Sequence, residues 1–269
     1  DFCLSRGLGD VYKRQGHRTG RAQDFSCLIV SYLVSTMCHA KIIRIIRLQS
    51  TSIFTCNLKV NGIIHLVNEK HVILQKPGAG LPWWELAVAR VLFRTKCRFG
   101  HASRFVAEFQ RECLLIAALL ENREENELRM PVLIRRLRGL EDSSRNWSAW
   151  MTLEHLRIVH EAMAGVLRAL AAGQRPPGQA STAAVKPGRE LDASVRQKFE
   201  QSCHDLMACV AAISEFRTTI TYPHPWFGEM DAHAWLALAA GHMGIHRRQL
   251  QAIFRERILP RQEHADMHQ

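Results

Sequence analysis

The chain has 269 residues, of which 47% are hydrophobic, so it is long and apolar enough to fold around a substantial core. Only 7% are aromatic, and Gly and Pro are sparse outside a few loops, which is typical of helical proteins. The net charge of +11 would suit a nucleic acid or an anionic membrane, but residues 1–81 hold 11 Lys and Arg against 4 Asp and Glu, so most of that charge lies in the first third.

The cysteines and the apolar stretches exclude further classes. The eight cysteines include no C-x-x-C pair, so nothing resembles a zinc knuckle or a disulfide framework. The most membrane-like stretch, CLIVSYLVSTMC at 27–38, has about half of the roughly 20 residues that a spanning helix needs. No signal peptide with a cleavage site is evident. We therefore expect a cytoplasmic protein without a membrane anchor.

Residues 1–80 differ from the rest of the chain in composition and in the spacing of their apolar residues. SRGLGDVYKRQ at 5–15 resembles a peptide that recurs where sequencing-adapter DNA has been translated. The residues after it are rich in Ile, Cys and Ser and have no stable helical or strand period, although a hairpin around Asn61-Gly62 is an alternative interpretation. We interpret residues 1–80 as a non-native or disordered extension.

From Leu81 onward, the spacing of apolar residues predicts helices joined by loops. Amphipathic runs predict five of them, at 81–99, 103–122, 147–170, 192–216 and 231–258. The Gly-, Pro- and Ser-rich residues 171–190 are expected to form a linker. Strand patterns are absent after residue 81, so the sequence predicts an all-α bundle over 81–260.

Polar residues and a proline mark the expected ends of these helices. Ser103, Asp231 and either Asp192 or Ser194 have the residue types and positions of N-caps. Pro260 is expected to end the last helix, which leaves 261–269 as a disordered tail.

The last predicted helix carries two histidines on an apolar stripe. His242 and His246 are four residues apart, on a stripe whose successive members are three or four residues apart and are otherwise apolar, among them Trp235, Leu238 and Leu250. Both imidazoles are therefore expected to point into the bundle, where a polar group needs a partner.

His155 interrupts a similar stripe on the third predicted helix, between Met151 and Val159. Two helices thus direct three imidazoles into one core, and three histidines with an open fourth position are a common catalytic metal site. The alternative is that each histidine is an ordinary hydrogen-bonded core residue. Glu154 is a candidate acceptor for a ligand ring, and His224 and Trp226, in the loop YPHPWFGEM, are candidate pocket residues.

Two segments together resemble the DinB/YfiT-like metalloenzyme superfamily. They are WSAWMTLEHLRIVHE at 147–161 and YPHPWFGEMDAHAWLALAAGHMGIHRRQLQAI at 222–253. The likeness rests on the His-Leu pair at 155–156, the HPWFG loop and the His-x-x-x-His at 242–246, and it extends from about residue 100 to 258.

The resemblance implies an up-down-down-up four-helix bundle in which the first predicted helix is extra. It also implies that His155, His242 and His246 hold one divalent metal, with Zn²⁺ or Ni²⁺ best suited to three nitrogens and Fe²⁺ or Mn²⁺ as alternatives. Relatives include thiol-dependent transferases and isomerases, so a low-molecular-weight thiol, a small-molecule substrate and a homodimer are expectations for this chain. The activity implied is that of a metal-dependent transferase or hydrolase.

Two other functions compete with a metal enzyme. A turn at Gly244 would convert residues 236–257 into an AraC-like helix-turn-helix, with RRQLQAIF presented to DNA bases. That interpretation would discard the inward histidine pair, and glycine within an unbroken helix costs only about 1 kcal/mol relative to alanine. A helical bundle that binds a partner without catalysis is the third alternative.

Overall fold

The computed structural model describes residues 73–265, with side chains described through residue 257. Most of the predicted extension, including the stretches at 5–15 and 27–38 and the Asn61-Gly62 pair, lies outside the described residues, as do the last four residues of the predicted tail. Among the described residues, no helix is both long enough and apolar enough to cross a bilayer.

Helices account for most of the described chain. The four long helices of the bundle are α2, α4, α5 and α6; α1 precedes them and α3 is a single short turn of helix. In order they are α1 (Trp83–Phe99), α2 (Ala102–Leu120), α3 (Glu125–Arg129), α4 (Ala149–Ala171), α5 (Ser194–Ala211) and α6 (Ala232–Ala265).

Two very short antiparallel ladders are present where no strands were expected. β1 (Val132–Leu133) pairs with β2 (Asn146–Trp147), and β3 (Tyr222–His224) pairs with β4 (Gly228–Met230). Each strand has two or three residues, which is too short for an alternating pattern to appear in the sequence. The ladders brace loops, and the fold remains all-α.

Pairs of contacting residues give the directions of the four bundle helices. Phe105 and Glu112 of α2 meet His233 and Arg247 of α6 in the same order, so α2 and α6 run parallel. Likewise α4 and α5 run parallel, since His160 contacts Ser202 and Ala164 contacts Cys209.

The remaining pair of neighbouring helices, α4 and α6, run in opposite directions. His155 of α4 meets His242 of α6, whereas Ser144, which precedes α4, meets Gln249 further along α6. The α4–α6 pair is therefore antiparallel. These contacts describe an up-down-down-up four-helix bundle with α1 as an additional N-terminal helix, as the family resemblance implies.

Helix α6 is covered on two sides. The side opposite the histidine stripe carries the polar residues His233 and Arg247. Even so, His233 is buried with its ring against Phe105, and Arg247 pairs with the buried carboxylate of Glu112. The reason is that α6 lies between α4 and α2, so both of those sides are inside the bundle.

The caps match the sequence only in part. Asp231 accepts a hydrogen bond from the backbone N–H of Ala234 at 2.8 Å, as predicted, and Ser148 caps α4 by accepting from Met151 N–H at 3.0 Å. Ser103 is not a cap, because α2 begins one residue earlier, at Ala102. Asp192 accepts from Ser194 N–H at 2.8 Å, just before α5.

Gly100 sets the corner between α1 and α2. A Cβ atom at this position would lie 2.4 Å from Cζ of Phe105, a buried residue of the core. Only a residue without a side chain lets that ring pack directly under the end of α1.

Helix α6 passes through both positions where the sequence suggested a break. It is continuous through Gly244, so the turn that a helix-turn-helix requires is not formed and that interpretation is wrong. The helix also continues past Pro260 to Ala265. A proline removes one backbone hydrogen bond and can be accommodated by a bend near a helix end.

Helix α1 and the residues that precede it both contact the bundle. The backbone N–H of Gln75, which falls in the predicted extension, donates to the carboxylate of Asp142 at 2.9 Å. Glu85 of α1 is buried, accepts from the N–H of Gly139 at 2.6 Å and pairs with Arg136 at 2.7 Å. These contacts fix α1 against the loop that leads into α4.

Candidate metal centre

Three histidine side chains converge between α4 and α6. Nε2 of His155 lies 3.2 Å from Nε2 of His242, and Nε2 of His246 lies 3.1 Å from the same atom. One ring nitrogen from each residue falls within 4.8 Å of the other two. The four-residue spacing places His242 and His246 on one face of α6, and the antiparallel pairing brings His155 opposite them.

The linker before α5 fixes the tautomer of His155. Nδ1 of His155 lies 2.7 Å from the carbonyl oxygen of Val185. A carbonyl only accepts hydrogen bonds, so Nδ1 carries the proton and donates it. Nε2 of His155 therefore presents a lone pair toward His242.

The buried side chain of Gln249 fixes the tautomer of His246. Nε2 of Gln249 donates to the carbonyl oxygen of Ser144 at 2.8 Å, which orients the amide. Its Oε1 then faces Nδ1 of His246 at 2.7 Å and accepts the proton there. Nε2 of His246 is left as a second lone pair directed at His242.

Neutral imidazoles alone leave this cluster unsatisfied. Nε2 of His242 faces two lone pairs and, with a single proton, can donate to only one of them. A divalent cation at 2.0–2.1 Å from tetrahedral nitrogen ligands would place those nitrogens about 3.3 Å apart, close to the separations here. The donor set therefore fits one divalent cation, with a hydrogen-bond acceptor behind the Nδ1–H of both His155 and His246.

Burial keeps the three rings in the neutral form that binds metals. Desolvation lowers the pKa of His155 from its usual 6.5 to about 4. Desolvation also holds the pKa values of His242 and His246 well below the usual value, and the neighbouring histidines add to the effect.

Trp147 and Lys186 form the wall behind the cluster. The Trp147 ring lies 5.2 Å from the ring of His155 and stacks on His246 with centroids 6.3 Å apart. The ammonium of Lys186 lies over the Trp147 ring, 5.3 Å from the ring centroid. The same ammonium pairs with Glu141 at 2.6 Å and donates to the hydroxyl of Ser144 at 2.8 Å. Glu141 thus neutralises the ammonium charge of Lys186 next to the cluster.

The cluster opens onto a cavity of about 760 Å³. Helices α4 and α6 form two of its walls, the residues between 176 and 186 form a third, and α1 and the β3–β4 loop complete it. A cavity of this size is in the range of small-molecule sites. His224 and Trp226 both line it, and Phe227 of the same loop packs on Phe93 of α1 with ring centroids 4.4 Å apart.

Two nearby residues of α4, Glu154 and His160, do not face the three histidines of the cluster. Glu154 does not face a ligand ring: its carboxylate is taken by Arg157 on the same helix, at 2.7 Å, because a three-residue spacing lets the pair form along the helix surface. His160 faces α5, where its Nδ1 lies 3.0 Å from the hydroxyl oxygen of Ser202. It is therefore not part of the cluster.

Sequence reasoning missed the residues that orient the rings. Gln249 is buried three residues after His246, so a polar residue on the inward side of α6 was the available signal. For Val185 there was no signal, because its contribution is a backbone carbonyl 30 residues from His155. The α1 residues of the cavity wall were likewise expected only to pack.

The chain is similar to the crystal structure of TT2238, a four-helix bundle protein, with 24% identity over 56% of this chain and 99% of that one and a TM-score of 0.43. A comparison with curated proteins found no match. The family model described as the DinB superfamily matches residues 108–250, just over half of the chain. The chain belongs to the DinB superfamily.

Proposed function

We propose that His155, His242 and His246 hold one divalent cation and that the protein is a metal-dependent transferase or hydrolase of a small molecule. The observation that carries the proposal is the convergence of two fixed lone pairs on Nε2 of His242, at 3.1 and 3.2 Å. Members of the DinB superfamily are often metal-binding, which supports the same assignment.

The protein side chains supply geometry and a water-poor environment. Val185 and Gln249 hold two rings in the tautomer that exposes Nε2, and Trp147 shields one side of the cluster. When bound, a cation held by neutral imidazoles keeps its charge and supplies a nucleophile at neutral pH by lowering the pKa of water or of a thiol. The adjoining cavity gives a substrate access to that position.

We infer a low-molecular-weight thiol as the co-substrate of a transferase reaction. Zn²⁺ and Ni²⁺ suit three imidazole nitrogens, and both bind thiolate sulfur. Adding N-acetylcysteine to the Ni²⁺-loaded full chain should produce a near-ultraviolet thiolate-to-metal charge-transfer band. Absence of the band, with Ni²⁺ still bound, would favour a hydrolase that activates water.

Metal analysis of the purified full chain tests the ligand assignment. We expect about one divalent ion per chain in the wild type and in His204→Ala, since His204 is exposed on α5 and neither lines the cavity nor belongs to the cluster. His242→Ala should lose most of the metal while keeping its helical circular dichroism. A His242→Ala protein that retains the wild-type metal content would contradict the assignment, and a wild type that takes up no metal would favour a non-catalytic bundle.

A further inference from the structure

The cavity beside the histidine cluster is elongated. Its lining follows α4 from His155 to Ala169 and α6 from Trp235 to Arg248. At a rise of 1.5 Å per residue, both stretches are about 20 Å long. A compact cavity of the same volume, about 760 Å³, would be only about 10 Å across, so this one extends along the two helices.

The three histidines lie at one end of this cavity. His155 begins the lining stretch of α4, and His246 lies near the end of the lining stretch of α6. Because α4 and α6 are antiparallel, these two limits meet at the same end of the bundle. The rest of the cavity extends away from the cluster, toward the end of α4 and the start of α6.

The body of the cavity is apolar. Beyond the cluster, the two helices line it with Val159, Met163, Val166, Trp235 and Leu238, and Phe227 adds an aromatic ring. The two lysines on its walls are paired within the protein: Lys96 binds Glu108 at 2.8 Å and Lys186 binds Glu141 at 2.6 Å. Arg248 is exposed, at the end where the histidines lie.

From this shape and lining we propose that the cavity takes an elongated, uncharged apolar molecule, with its polar reacting group at the histidine cluster and its alkyl or aromatic body extended along α4. The proposal deepens the proposed function and rests on it for the position of the reacting group. An anionic body is disfavoured, because the lysines of the wall are already neutralised and would have to give up their carboxylate partners.

Gly165 offers a way to shorten the cavity without disturbing the fold. It lies on the lining face of α4, about 15 Å along the helix from His155, and a Cβ there would meet no atom within 4 Å. Leucine at this position should therefore project into open space. Glycine is also the poorer helix former, so Gly165→Leu should fold at least as well as the wild type. The matched control is Ala211→Leu, which adds a similar side chain at an exposed position of α5.

The experiment measures the affinity of a series of n-alkyl hydroxamates for the Zn²⁺-loaded full chain by calorimetry. Acetohydroxamate, hexanohydroxamate and decanohydroxamate share one metal-binding group and differ only in chain length. Each buried CH₂ should raise the affinity about 4-fold, so the hexano compound, with four more CH₂ groups, should bind about 250-fold more tightly than the aceto compound. Gly165→Leu should leave those two affinities unchanged and weaken decanohydroxamate at least 10-fold, whereas Ala211→Leu should change none of them.

The outcomes separate this inference from the proposed function. If acetohydroxamate binds the Zn²⁺-loaded protein but affinity does not rise with chain length, or if Gly165→Leu binds decanohydroxamate as the wild type does, the apolar cavity proposal is overturned and the metal site stands. If no metal is bound, 1-decanol serves as the probe. Decanol binding that Gly165→Leu weakens would then support the apolar cavity while the proposed function fails.

Discussion

Gln249 connects the histidine cluster to the loop before α4, and replacing it tests whether that connection controls metal binding. In Gln249→Leu, Nδ1–H of His246 loses its acceptor and the Ser144 carbonyl loses its donor. Leucine is similar in size to glutamine, so the substitution removes the two hydrogen bonds without leaving a large cavity.

The expected magnitudes follow from those two bonds. Each of the two buried polar groups left without a partner costs about 1–3 kcal/mol, so the metal-free protein should lose about 2–6 kcal/mol of its free energy of unfolding. Loss of the group that orients a ligand histidine typically weakens metal binding 10- to 100-fold. Gln249→Glu keeps the acceptor for His246 but loses the donor to Ser144, so it should retain metal affinity better than Gln249→Leu while still losing stability.

The assay is competition for Zn²⁺ against a chromophoric chelator, with urea unfolding of the metal-free protein measured in parallel. Gln251→Leu is the control, since Gln251 is exposed on the same helix and bonds only to the side chain of Arg247 among the contacts described for it. If Gln249→Leu binds Zn²⁺ as tightly as Gln251→Leu, Gln249 has no role in orienting His246 toward a cation.

Two further predictions concern stability. Burial lowers the pKa of His224 to about 4 and that of His160 to about 3, below the 6.5 expected in the unfolded chain. As pH falls from about 6.5 toward 4, the unfolded state takes up protons that these rings do not, so the free energy of unfolding of the metal-free protein should fall by about 1.4 kcal/mol per pH unit for each ring. Urea unfolding at several pH values checks this; a flat profile would be inconsistent with buried neutral rings, and His160→Gln should make the slope shallower. Gly100→Ala should cost about 1–3 kcal/mol, because its Cβ would lie 2.4 Å from Cζ of Phe105, whereas Gly165→Ala should stabilise the protein by up to about 1 kcal/mol. Equal unfolding free energies for the two alanine variants would show that Phe105 does not pack against Gly100 as described.

The sequence predicted the helices and the inward direction of the three histidines because both depend on local periodicity, whereas the meeting of His155 with the other two was implied only by the family resemblance. His242 and His246 share a face by spacing alone, and Asp231 caps α6 through a contact three residues away. The sequence could not show that α6 is covered on two sides, so it did not predict that His233 is buried. The apolar stripe of α6 is only part of the surface that this helix buries.

Long-range contacts account for the rest of what was missed. The carbonyl of Val185 belongs to a segment that composition describes only as a linker, yet it sets the tautomer of His155. The cavity wall joins α1 to the β3–β4 loop through Phe93 and Phe227, which are far apart in sequence. No pattern within one segment carries that information, because it arises only when the segments pack.

X-ray absorption spectroscopy of the Zn²⁺-loaded full chain would test the central claim most directly. We predict three imidazole nitrogens at about 2.0–2.1 Å from the metal, falling to two in His242→Ala. Sulfur at about 2.3 Å from one of the chain's cysteines, or an unchanged histidine count in the variant, would contradict a cation held by His155, His242 and His246.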